Sequence, residues 1–423
     1  MDSNIRVDHA ANRINALKKP TLLSAVFKKI ILKKFKNLQF GYIHLIDGDE
    51  SYSYGDNSSE MKVEMEILSS EFYVFLGSGG LLGVTEAYTA GYWRADDIVI
   101  LIRLIIKNSK VMEKLDSGWA KLIRPLNTYI HRKRQNTLLG SKENILAHYD
   151  LSNDFYKLWL DETMTYSCGV FENDKSTLKE ASIEKLDRIC RKLDLKPNDN
   201  ILEIGTGWGS FAIHAAKKYG CHITTTTISD AQYEYAKQRI IDEGLEGKIK
   251  LLNQDYRNLS GTFDKIISIE MIEAVGHEYV ELFFEKISKL LKKNGLFALQ
   301  GITFNDHKFD EYKNSVDFIK KYIFPGSCLI SISQITNAIK NRTDLEVVNL
   351  EDISKHYSKT LYEWRKNFMN VLPEVKSLGF SNAFINMWEF YFIYCEAGFI
   401  ERNIGDYQVI FAKSGVRDIE ISY

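Results

Sequence analysis

Three glycines in alternate positions follow a short apolar strand that the sequence predicts over Asn200–Ile204. They are Gly205, Gly207 and Gly209. Glycine lets a backbone turn tightly and approach a ligand closely at the carboxyl edge of a strand. Residues 210–219 have a helical pattern, and Glu203 adds a carboxylate just before the turn. This combination is typical of a cofactor site, although a nucleotide-binding turn or a purely structural turn remains open.

The spacing of the glycines is GxGxG rather than the dinucleotide pattern GxGxxG. It resembles the first motif of class I S-adenosylmethionine-dependent methyltransferases. In that resemblance, Glu203 pairs with the amino group of the methionine portion, directly or through the turn. Thr227 and Gln232 are the polar candidates after the second strand, where the ribose binds. Asp255 and Tyr256 follow the next strand, where a carboxylate accepts from the adenine amine and a ring stacks on the base.

Strands and helices alternate from residue 145 onward. The strands are predicted at 200–204, 222–228, 248–252, 265–269 and 296–300, and the helices include 210–219 and 231–242. Such alternation predicts a parallel sheet with helices on both faces. The fold class is therefore α/β, with a Rossmann-like class I methyltransferase catalytic domain over 145–423 and a smaller N-terminal α+β domain over 1–125. A basic linker, 126–144, is predicted between them.

A basic amphipathic helix is predicted from Thr21 to about Leu38. Eight lysines and arginines occur between Asp8 and Asp47 without an acidic residue, and apolar residues recur among them at helical spacing. Such a helix can lie on an anionic membrane surface with its apolar face inserted. The alternative is a surface helix that packs on its own domain through that face. A homodimer formed through this domain is also left open.

Composition excludes several classes of protein. The net charge is −1, from 55 Lys and Arg against 56 Asp and Glu, which disfavours a globally basic nucleic-acid binder. The five cysteines are scattered without a CxxC pair, which favours a reducing compartment and gives no metal-site spacing. No apolar signal-peptide core or membrane-spanning stretch appears. We therefore expect a cytoplasmic protein, peripheral on the inner face of the membrane.

Four further segments resemble the cyclopropane-fatty-acyl-phospholipid synthase family. They are 148–154 (HYDLSND), 164–168 (MTYSC), 269–277 (IEMIEAVGH) and 357–364 (YSKTLYEW). The resemblance covers 145–423 well and 79–97 less closely. It implies that S-adenosylmethionine donates a methyl to the cis double bond of an unsaturated phospholipid acyl chain. The resulting carbocation loses a proton and closes to a cyclopropane ring.

The resemblance also implies a bound bicarbonate as the base, held by a Cys, a Glu, a His, a Tyr and a backbone amide. Four of these positions match Cys168, Glu273, Tyr357 and the backbone of Ile302. The His position falls on Gln300, which can orient an anion by hydrogen bonds but cannot titrate. This departure keeps open a methyl or methylene branch instead of a ring. Glu273 and bicarbonate would carry like charges side by side, and one hypothesis is that the pair shares a proton, with the pKa of Glu273 raised.

The remaining candidates concern the cofactor and the cation. Tyr149, Tyr166 and Ser167 are predicted to contact the cofactor, and aromatic faces can stabilise a carbocation. An aromatic cluster suits that role but is also typical of a buried core helix; its members are Trp388, Phe390, Tyr391, Phe392 and Tyr394. A small-molecule methyltransferase and a non-catalytic lipid-binding protein with a methyltransferase fold are the competing functions.

Overall fold

The computed structural model describes residues 21–109 and 151–423. The chain divides into two compact units, Met1–Ile123 and Arg124–Tyr423. The predicted linker 126–144 and the predicted boundaries at its ends lie outside the described residues, as does Tyr149.

The first unit is a small α+β structure. Its strands are β1 (Tyr42–Asp47), β2 (Glu50–Gly55), β3 (Lys62–Ile67) and β4 (Trp93–Ala95), and its helices are α1 (Leu22–Phe35), α2 (Glu71–Thr89) and α3 (Ile98–Lys107). The strand order is β2-β1-β3-β4, with β1 antiparallel to β2 and parallel to β3. Gly48, at a φ of 61°, makes the tight turn between β1 and β2.

Helix α1 confirms the helix predicted near the N-terminus. Thr21 caps it by accepting a hydrogen bond from the Ser24 amide. One stripe of the helix is buried, formed by Phe27, Ile31 and Phe35. Four other apolar residues are exposed, namely Leu22, Leu23, Val26 and Ile30. The helix therefore packs on its own unit through one apolar stripe and presents a second one outward.

The second unit contains a seven-stranded sheet in the order β10-β11-β9-β8-β5-β6-β7. The strands are β5 (Asn200–Ile204), β6 (His222–Thr227), β7 (Ile249–Asn253), β8 (Phe263–Ile269), β9 (Leu291–Phe304), β10 (Leu345–Asp352) and β11 (Ile404–Lys413). Strands β7, β6, β5, β8 and β9 pair in parallel, and β11 is antiparallel to both β9 and β10. The predicted α/β class is confirmed.

Helices connect these strands. They are α4 (Asn153–Lys157), α5 (Leu178–Lys192), α6 (Ser210–Tyr219), α7 (Asp230–Asp242), α8 (Val280–Leu290), α9 (Asp306–Lys313), α10 (Ile332–Arg342), α11 (Ser354–Asn370), α12 (Leu372–Ser377) and α13 (Asn382–Ile400). Two buried apolar clusters pack against the sheet, one around Phe283 and Phe297 and one around Phe211 and Ile223. Parallel strands end at the same edge, so the residues after β5, β6, β7 and β8 come together there.

Within 21–109 and 151–423, no helix has the length and apolar character needed to cross a membrane.

Candidate functional site

The glycine turn after β5 has the backbone that its sequence predicts. Gly205, Gly207 and Gly209 have φ values of 100°, 54° and 90°, a region that side chains with a Cβ rarely adopt. A Cβ at Gly205 would lie 3.1 Å from Met271, whereas one at Gly207 would meet nothing within 4 Å. Gly209 then caps α6. The turn thus offers open space above Gly207 next to a helix N-terminus, which suits close approach by a ligand.

Glu203 lies beneath this turn and is buried. Its Oε2 accepts a hydrogen bond from Thr225 Oγ1 at 2.5 Å, and Thr225 Oγ1 is 2.7 Å from Thr206 Oγ1. Burial raises the pKa of Glu203 to about 8, although the Thr225 hydrogen bond and Lys185 act against that shift. Glu203 was predicted to interact with the cofactor's amino group either directly or through the turn, and the hydrogen bonds through Thr225 and Thr206 favour the second.

The other predicted cofactor residues lie at the same edge of the sheet. Thr227 ends β6 and donates from Oγ1 to Gln232 Oε1 at 3.0 Å, and both side chains are buried. Asp255 follows β7, and its carboxylate accepts from Arg257 at 2.9 and 2.6 Å. Tyr256 packs edge-on against Phe283. The structure brings the four residues to the edge where a cofactor would bind, and their contacts with adenine and ribose stay predictions.

Glu270 is the centre of a buried hydrogen-bond network that the sequence analysis missed. Its Oε1 accepts from the Cys168 amide at 2.9 Å and from Gln300 Nε2 at 2.7 Å. Its Oε2 accepts from the Tyr357 hydroxyl at 2.6 Å. Three predicted catalytic residues from distant segments therefore converge on one carboxylate, which none of them was expected to bind.

Gln300 lies in β9 and links Glu270 to two residues of the neighbouring strand β11. Its Nε2 also donates to Asp406 Oδ2 at 3.1 Å, and its Oε1 accepts from Gln408 Nε2 at 3.1 Å. Asp406 is fully buried, and its pKa is raised well above the ordinary value by burial and by the charges of Glu270 and Glu273. Glu270 and Asp406 are thus neighbouring carboxyl groups that both accept from Gln300 Nε2.

Glu273, three residues after Glu270, binds the predicted backbone amide directly. Its Oε1 accepts from the Ile302 amide at 2.5 Å. Its Oε2 is buried and has no hydrogen-bond partner in the part of the chain that the structure describes. Burial raises the pKa of Glu273 to about 8, and the nearby charge of Glu270 adds to that shift. The pKa is thus raised, but by burial first and by Glu270 second, and a proton shared with bicarbonate stays a hypothesis.

Cys168 contributes its backbone rather than its thiol to the network. The thiol is fully buried and donates to the Gly169 carbonyl at 3.2 Å. Its pKa is raised well above the ordinary value, first by burial and then by Asp406 and Glu270. This thiol is therefore a neutral donor and not a nucleophile.

Lys185 is the cation of this region, and the sequence analysis missed it as well. It lies on α5, is 1% exposed, and donates from Nζ to Ser167 Oγ at 2.7 Å. Burial lowers its pKa, while Glu270, Cys168, Asp406 and Glu203 raise it. Ser167, predicted to contact the cofactor, thus accepts a hydrogen bond from Lys185. We call Glu270, Glu273, Asp406 and Lys185 the carboxylate cluster.

An aromatic wall adjoins the carboxylate cluster through Tyr357 and extends from it to Trp364 and Tyr166. The Tyr357 ring stacks on Phe399 at 4.4 Å and meets Trp364 at 6.1 Å. The Tyr166 ring lies 5.2 Å from Trp364, and its hydroxyl donates to Tyr391 at 2.9 Å. Helix α13 is largely buried and carries all five residues of the predicted aromatic cluster. The cluster is therefore part of a buried core helix, and its role in stabilising a carbocation stays a prediction.

The residues do not fit the bicarbonate ion implied by the resemblance. The Tyr357 hydroxyl, the Gln300 amide and the Cys168 amide all donate to Glu270, and the Ile302 amide donates to Glu273. A further anion here would also face the three carboxyl groups of Glu270, Glu273 and Asp406. The residues around the glycine turn, in contrast, fit S-adenosylmethionine.

Comparison with known proteins gives one consistent family. A family model described as mycolic acid cyclopropane synthetase matches residues 137–409. The tuberculostearic acid methyltransferase UfaA1 of Mycobacterium tuberculosis (strain ATCC 25618 / H37Rv) is 33% identical over 347 residues, covering 80% of this chain and 81% of that protein. The cyclopropane-fatty-acyl-phospholipid synthase of Escherichia coli (strain K12) is 31% identical over 353 residues, covering 83% and 88%.

A solved structure has the same fold as the second unit. The mycolic acid cyclopropane synthase CmaA1, complexed with SAH and CTAB, superposes with a TM-score of 0.60 and 30% identity, covering 64% of this chain and 98% of that chain. The glycine turn, the sheet order and these matches agree. The chain belongs to the mycolic acid cyclopropane synthetase family and is an S-adenosylmethionine-dependent methyltransferase.

Proposed function

We propose that this protein transfers the methyl carbon of S-adenosylmethionine to the cis double bond of unsaturated phospholipid acyl chains and closes a cyclopropane ring. The observation that carries the proposal is the buried carboxylate cluster beside the aromatic wall, joined by the Tyr357 hydroxyl at 2.6 Å from Glu270. An alkene that takes up a methyl becomes a cation, which needs aromatic faces and protection from water. It must then lose a proton, which needs a base.

The glycine turn holds the cofactor in this proposal. Gly205, Gly207 and Gly209 let the backbone approach it, and Glu203 acts on its amino group through Thr225 and Thr206. Thr227, Gln232, Asp255 and Tyr256 contact its ribose and adenine. When bound, S-adenosylmethionine supplies an electrophilic methyl group on a sulfonium.

The aromatic wall has two tasks with respect to the acyl chain. The Trp364 ring is a neighbour of both Tyr357 and Tyr166, so the three rings form a continuous aromatic surface that reaches Glu270 through Tyr357. An alkene is a weak nucleophile, and reaction requires that it be held in line with the methyl at near-attack distance. The same rings exclude water that would otherwise trap the cation as an alcohol.

A methyl or methylene branch at the same double bond is the second candidate product. The observation that favours it is Gln300, which occupies the position of a titratable histidine in the resemblance and donates to Glu270. The similarity to a tuberculostearic acid methyltransferase points the same way. Ring and methylene products have equal mass, so only the structure of the product separates them.

The experiment that tests the proposal uses the purified protein, S-adenosylmethionine with a ¹³C-labelled methyl, and vesicles of an unsaturated phospholipid. We expect the label in the acyl chain, with the carbon chemical shift of a cyclopropane methylene. Vesicles of the saturated phospholipid are the control and should acquire no label. Absence of label in the unsaturated lipid would contradict the proposed function, and a vinylidene signal would assign the methylene branch.

We propose further that α1 contacts an anionic membrane surface. Leu22, Leu23, Val26 and Ile30 are exposed on this helix, next to the exposed Lys29 and Lys33. Lys28, in contrast, forms ion pairs with Asp47 and Glu50 at 2.5 and 2.6 Å, and is therefore neutralised within its own unit. Apolar insertion together with nearby lysines suits peripheral binding to anionic lipid.

The membrane proposal is tested by sedimentation with phosphatidylglycerol vesicles. The double substitution Lys29→Glu and Lys33→Glu should weaken binding about tenfold, at roughly 1 kcal/mol or less for each lost charge and more for its reversal. The control is Lys340→Glu with Lys376→Glu, two exposed lysines of the second unit. Equal binding by both variants would contradict this role for α1. Dimerisation through the first unit stays a prediction that analytical ultracentrifugation can test.

A further inference from the structure

Glu270 presents one carboxylate to three donors that come from separate parts of the chain. The Cys168 amide precedes α5, Gln300 lies in β9, and Tyr357 lies in α11. Three donors at 2.6 to 2.9 Å occupy three of the about four lone-pair sites of a carboxylate, which leaves one to accept a proton. They come from three of the five positions that the resemblance assigns to the ligands of a bicarbonate ion, so the Glu270 carboxylate takes contacts expected of that ion.

The backbone at Glu270 shows that this placement has a cost. Its φ is 45°, in the left-handed region that disfavours residues with a Cβ. The backbone remains fixed there because the Glu270 amide donates to the Gln300 carbonyl at 2.8 Å. Strained residues of this kind cluster at functional sites, where the surrounding structure holds them in place. Glycine would adopt this backbone more easily, but it would leave the three donors without their acceptor.

We infer that Glu270 is a built-in base, whose carboxylate takes the place of bicarbonate and removes the proton from the alkylated acyl chain. The inference rests on the proposed function and deepens it. In the step, a C–H bond of the transferred methyl breaks, its electron pair forms the last C–C bond of the ring, and the proton goes to a Glu270 oxygen. The positive charge on the acyl chain is cancelled in the same event.

The surroundings of Glu270 support this role. Tyr357 contacts both Glu270 and the aromatic wall, so the carboxylate borders the region proposed for the cation. Burial raises the pKa of Glu270, as it does those of Asp406 and Glu273, and the hydrogen bond from Tyr357 and the charge of Lys185 act against the rise at Glu270. A carboxylate with a raised pKa takes up a proton more readily than an ordinary one. This role also explains why a glutamine stands at position 300 instead of a histidine. If Glu270 is the base, its neighbour has to donate a hydrogen bond to the carboxylate and does not have to titrate.

The test combines removal of the side chain with supply of the small anion. We compare the wild type, Glu270→Gly and Glu270→Gln in buffer freed of carbon dioxide, with and without added bicarbonate or formate. Asp194→Gly is the matched control, because Asp194 also has a left-handed backbone, at a φ of 49°, but is exposed on the surface after α5. Circular dichroism and the melting temperature of each variant establish that it is folded.

The inference predicts a distinct pattern. The wild type and Asp194→Gly should methylate lipid at the same rate with or without bicarbonate. Glu270→Gly and Glu270→Gln should lose activity by about 10²-fold or more, as expected for loss of a general base. Added bicarbonate or formate should restore at least about tenfold in Glu270→Gly, where the anion position is open, but not in Glu270→Gln. Calorimetry should detect bicarbonate binding to Glu270→Gly and none to the wild type.

Two results would overturn the inference. One is a wild type that loses activity when bicarbonate is removed, and the other is a Glu270→Gln variant that is folded and fully active. Should Glu270→Gly fail to fold, the bicarbonate independence of the wild type and the loss in Glu270→Gln still decide the question. Failure of the proposed function itself differs from these, since the wild type would then label no lipid at any bicarbonate concentration.

Discussion

Two buried groups of charged residues in the second unit differ in whether hydrogen bonds or burial dominate the pKa of their carboxyl groups. Asp187, on α5, accepts hydrogen bonds from Arg191, His214, Lys218 and Tyr219 at 2.5 to 3.0 Å. Burial alone would raise its pKa, but the bonds from Lys218, His214 and Tyr219 lower it below the ordinary value. Both of its oxygens are thus satisfied in the charged state.

In the carboxylate cluster, burial outweighs the hydrogen bonds and raises the pKa values. The cluster places three carboxyl groups near one lysine, and two of its oxygens, Glu273 Oε2 and Asp406 Oδ1, have no partner among the described residues. The pKa values of Glu270, Glu273 and Asp406 are all raised, chiefly by burial. Networks that only hold helices together can satisfy every charge, whereas a site that moves protons keeps groups poised to change charge. We therefore expect the Asp187 network to stabilise the fold and the carboxylate cluster to take part in the reaction.

The largest effect that this contrast predicts is on activity. Glu273→Gln removes a protonatable group beside Glu270 while keeping its shape, so kcat for lipid methylation should fall by about 10²-fold. The control is Glu278→Gln, an exposed carboxylate five positions further along the chain, which should leave kcat unchanged. A Glu273→Gln variant with normal kcat would show that Glu273 has no part in the reaction, and it would contradict the difference drawn between the two groups.

The second effect is on stability and concerns the other group. Asp187→Asn replaces a charged acceptor of several hydrogen bonds, so the free energy of unfolding should fall by about 2 kcal/mol. Because none of its partners contacts the carboxylate cluster in the hydrogen bonds described, kcat should change by less than about threefold. Urea unfolding and steady-state kinetics measure the two quantities. A large loss of kcat without loss of stability would assign Asp187 to the reaction.

The third effect separates the cofactor turn from an ordinary turn. Gly207 and Gly244 have similar φ values, 54° and 64°, and a Cβ at either would meet nothing within 4 Å. Substitution by alanine should therefore cost both the same backbone strain, about 1 kcal/mol. Calorimetry should show S-adenosylmethionine affinity reduced about tenfold or more in Gly207→Ala alone. Equal affinity in both variants would remove Gly207 from the cofactor site.

The smallest effect lies in the pH dependence of stability, where the two groups should have opposite signs. The lowered pKa of Asp187 contributes stability above the ordinary pKa of an aspartate, and this contribution disappears as the pH falls through the folded-state pKa. The raised pKa of Glu273 has the opposite effect. At low pH the buried carboxyl is neutral, and as the pH rises from 4.5 to about 8 its burial increasingly lowers the free energy of unfolding.

Urea unfolding of the wild type, Asp187→Asn and Glu273→Gln between pH 3 and pH 8 measures how each group changes the free energy of unfolding with pH. The stability advantage of the wild type over Asp187→Asn should shrink between pH 6 and pH 3. Glu273→Gln should gain stability relative to the wild type as the pH rises toward 8. Parallel pH curves for Glu273→Gln and the wild type would mean that Glu273 does not carry a raised pKa.

The sequence predicted the cofactor edge well and the carboxylate cluster only in part, for a physical reason. The turn at Gly205–Gly209 and its flanking strand and helix are local, so periodicity and glycine spacing suffice to predict them. Glu270 was visible three residues before Glu273, and two carboxylates after one buried strand were a usable signal. Lys185 and Asp406 come from α5 and β11, and no local pattern marks them, because only the packing of the sheet brings them together.

The edge of the sheet formed by β10 and β11 was also beyond what the sequence predicted. Strands β10 and β11 were not predicted, although β11 supplies Asp406 and Gln408 to the network around Gln300. Their antiparallel pairing depends on contacts between residues far apart in the chain, for example Gln408 opposite Gln300. Side-chain pairs across strands follow from register, which periodicity within one segment does not determine.

The central claim is that a base inside the protein takes a proton from a carbon newly attached to a lipid double bond. The most direct measurement incubates the wild type with unsaturated phospholipid vesicles and S-adenosylmethionine whose methyl is fully deuterated, followed by mass spectrometry and NMR of the acyl chains. The account predicts that the added carbon keeps two of its three deuterium atoms and lies in a three-membered ring. An added carbon that keeps all three, or lipid without any deuterium, would contradict it.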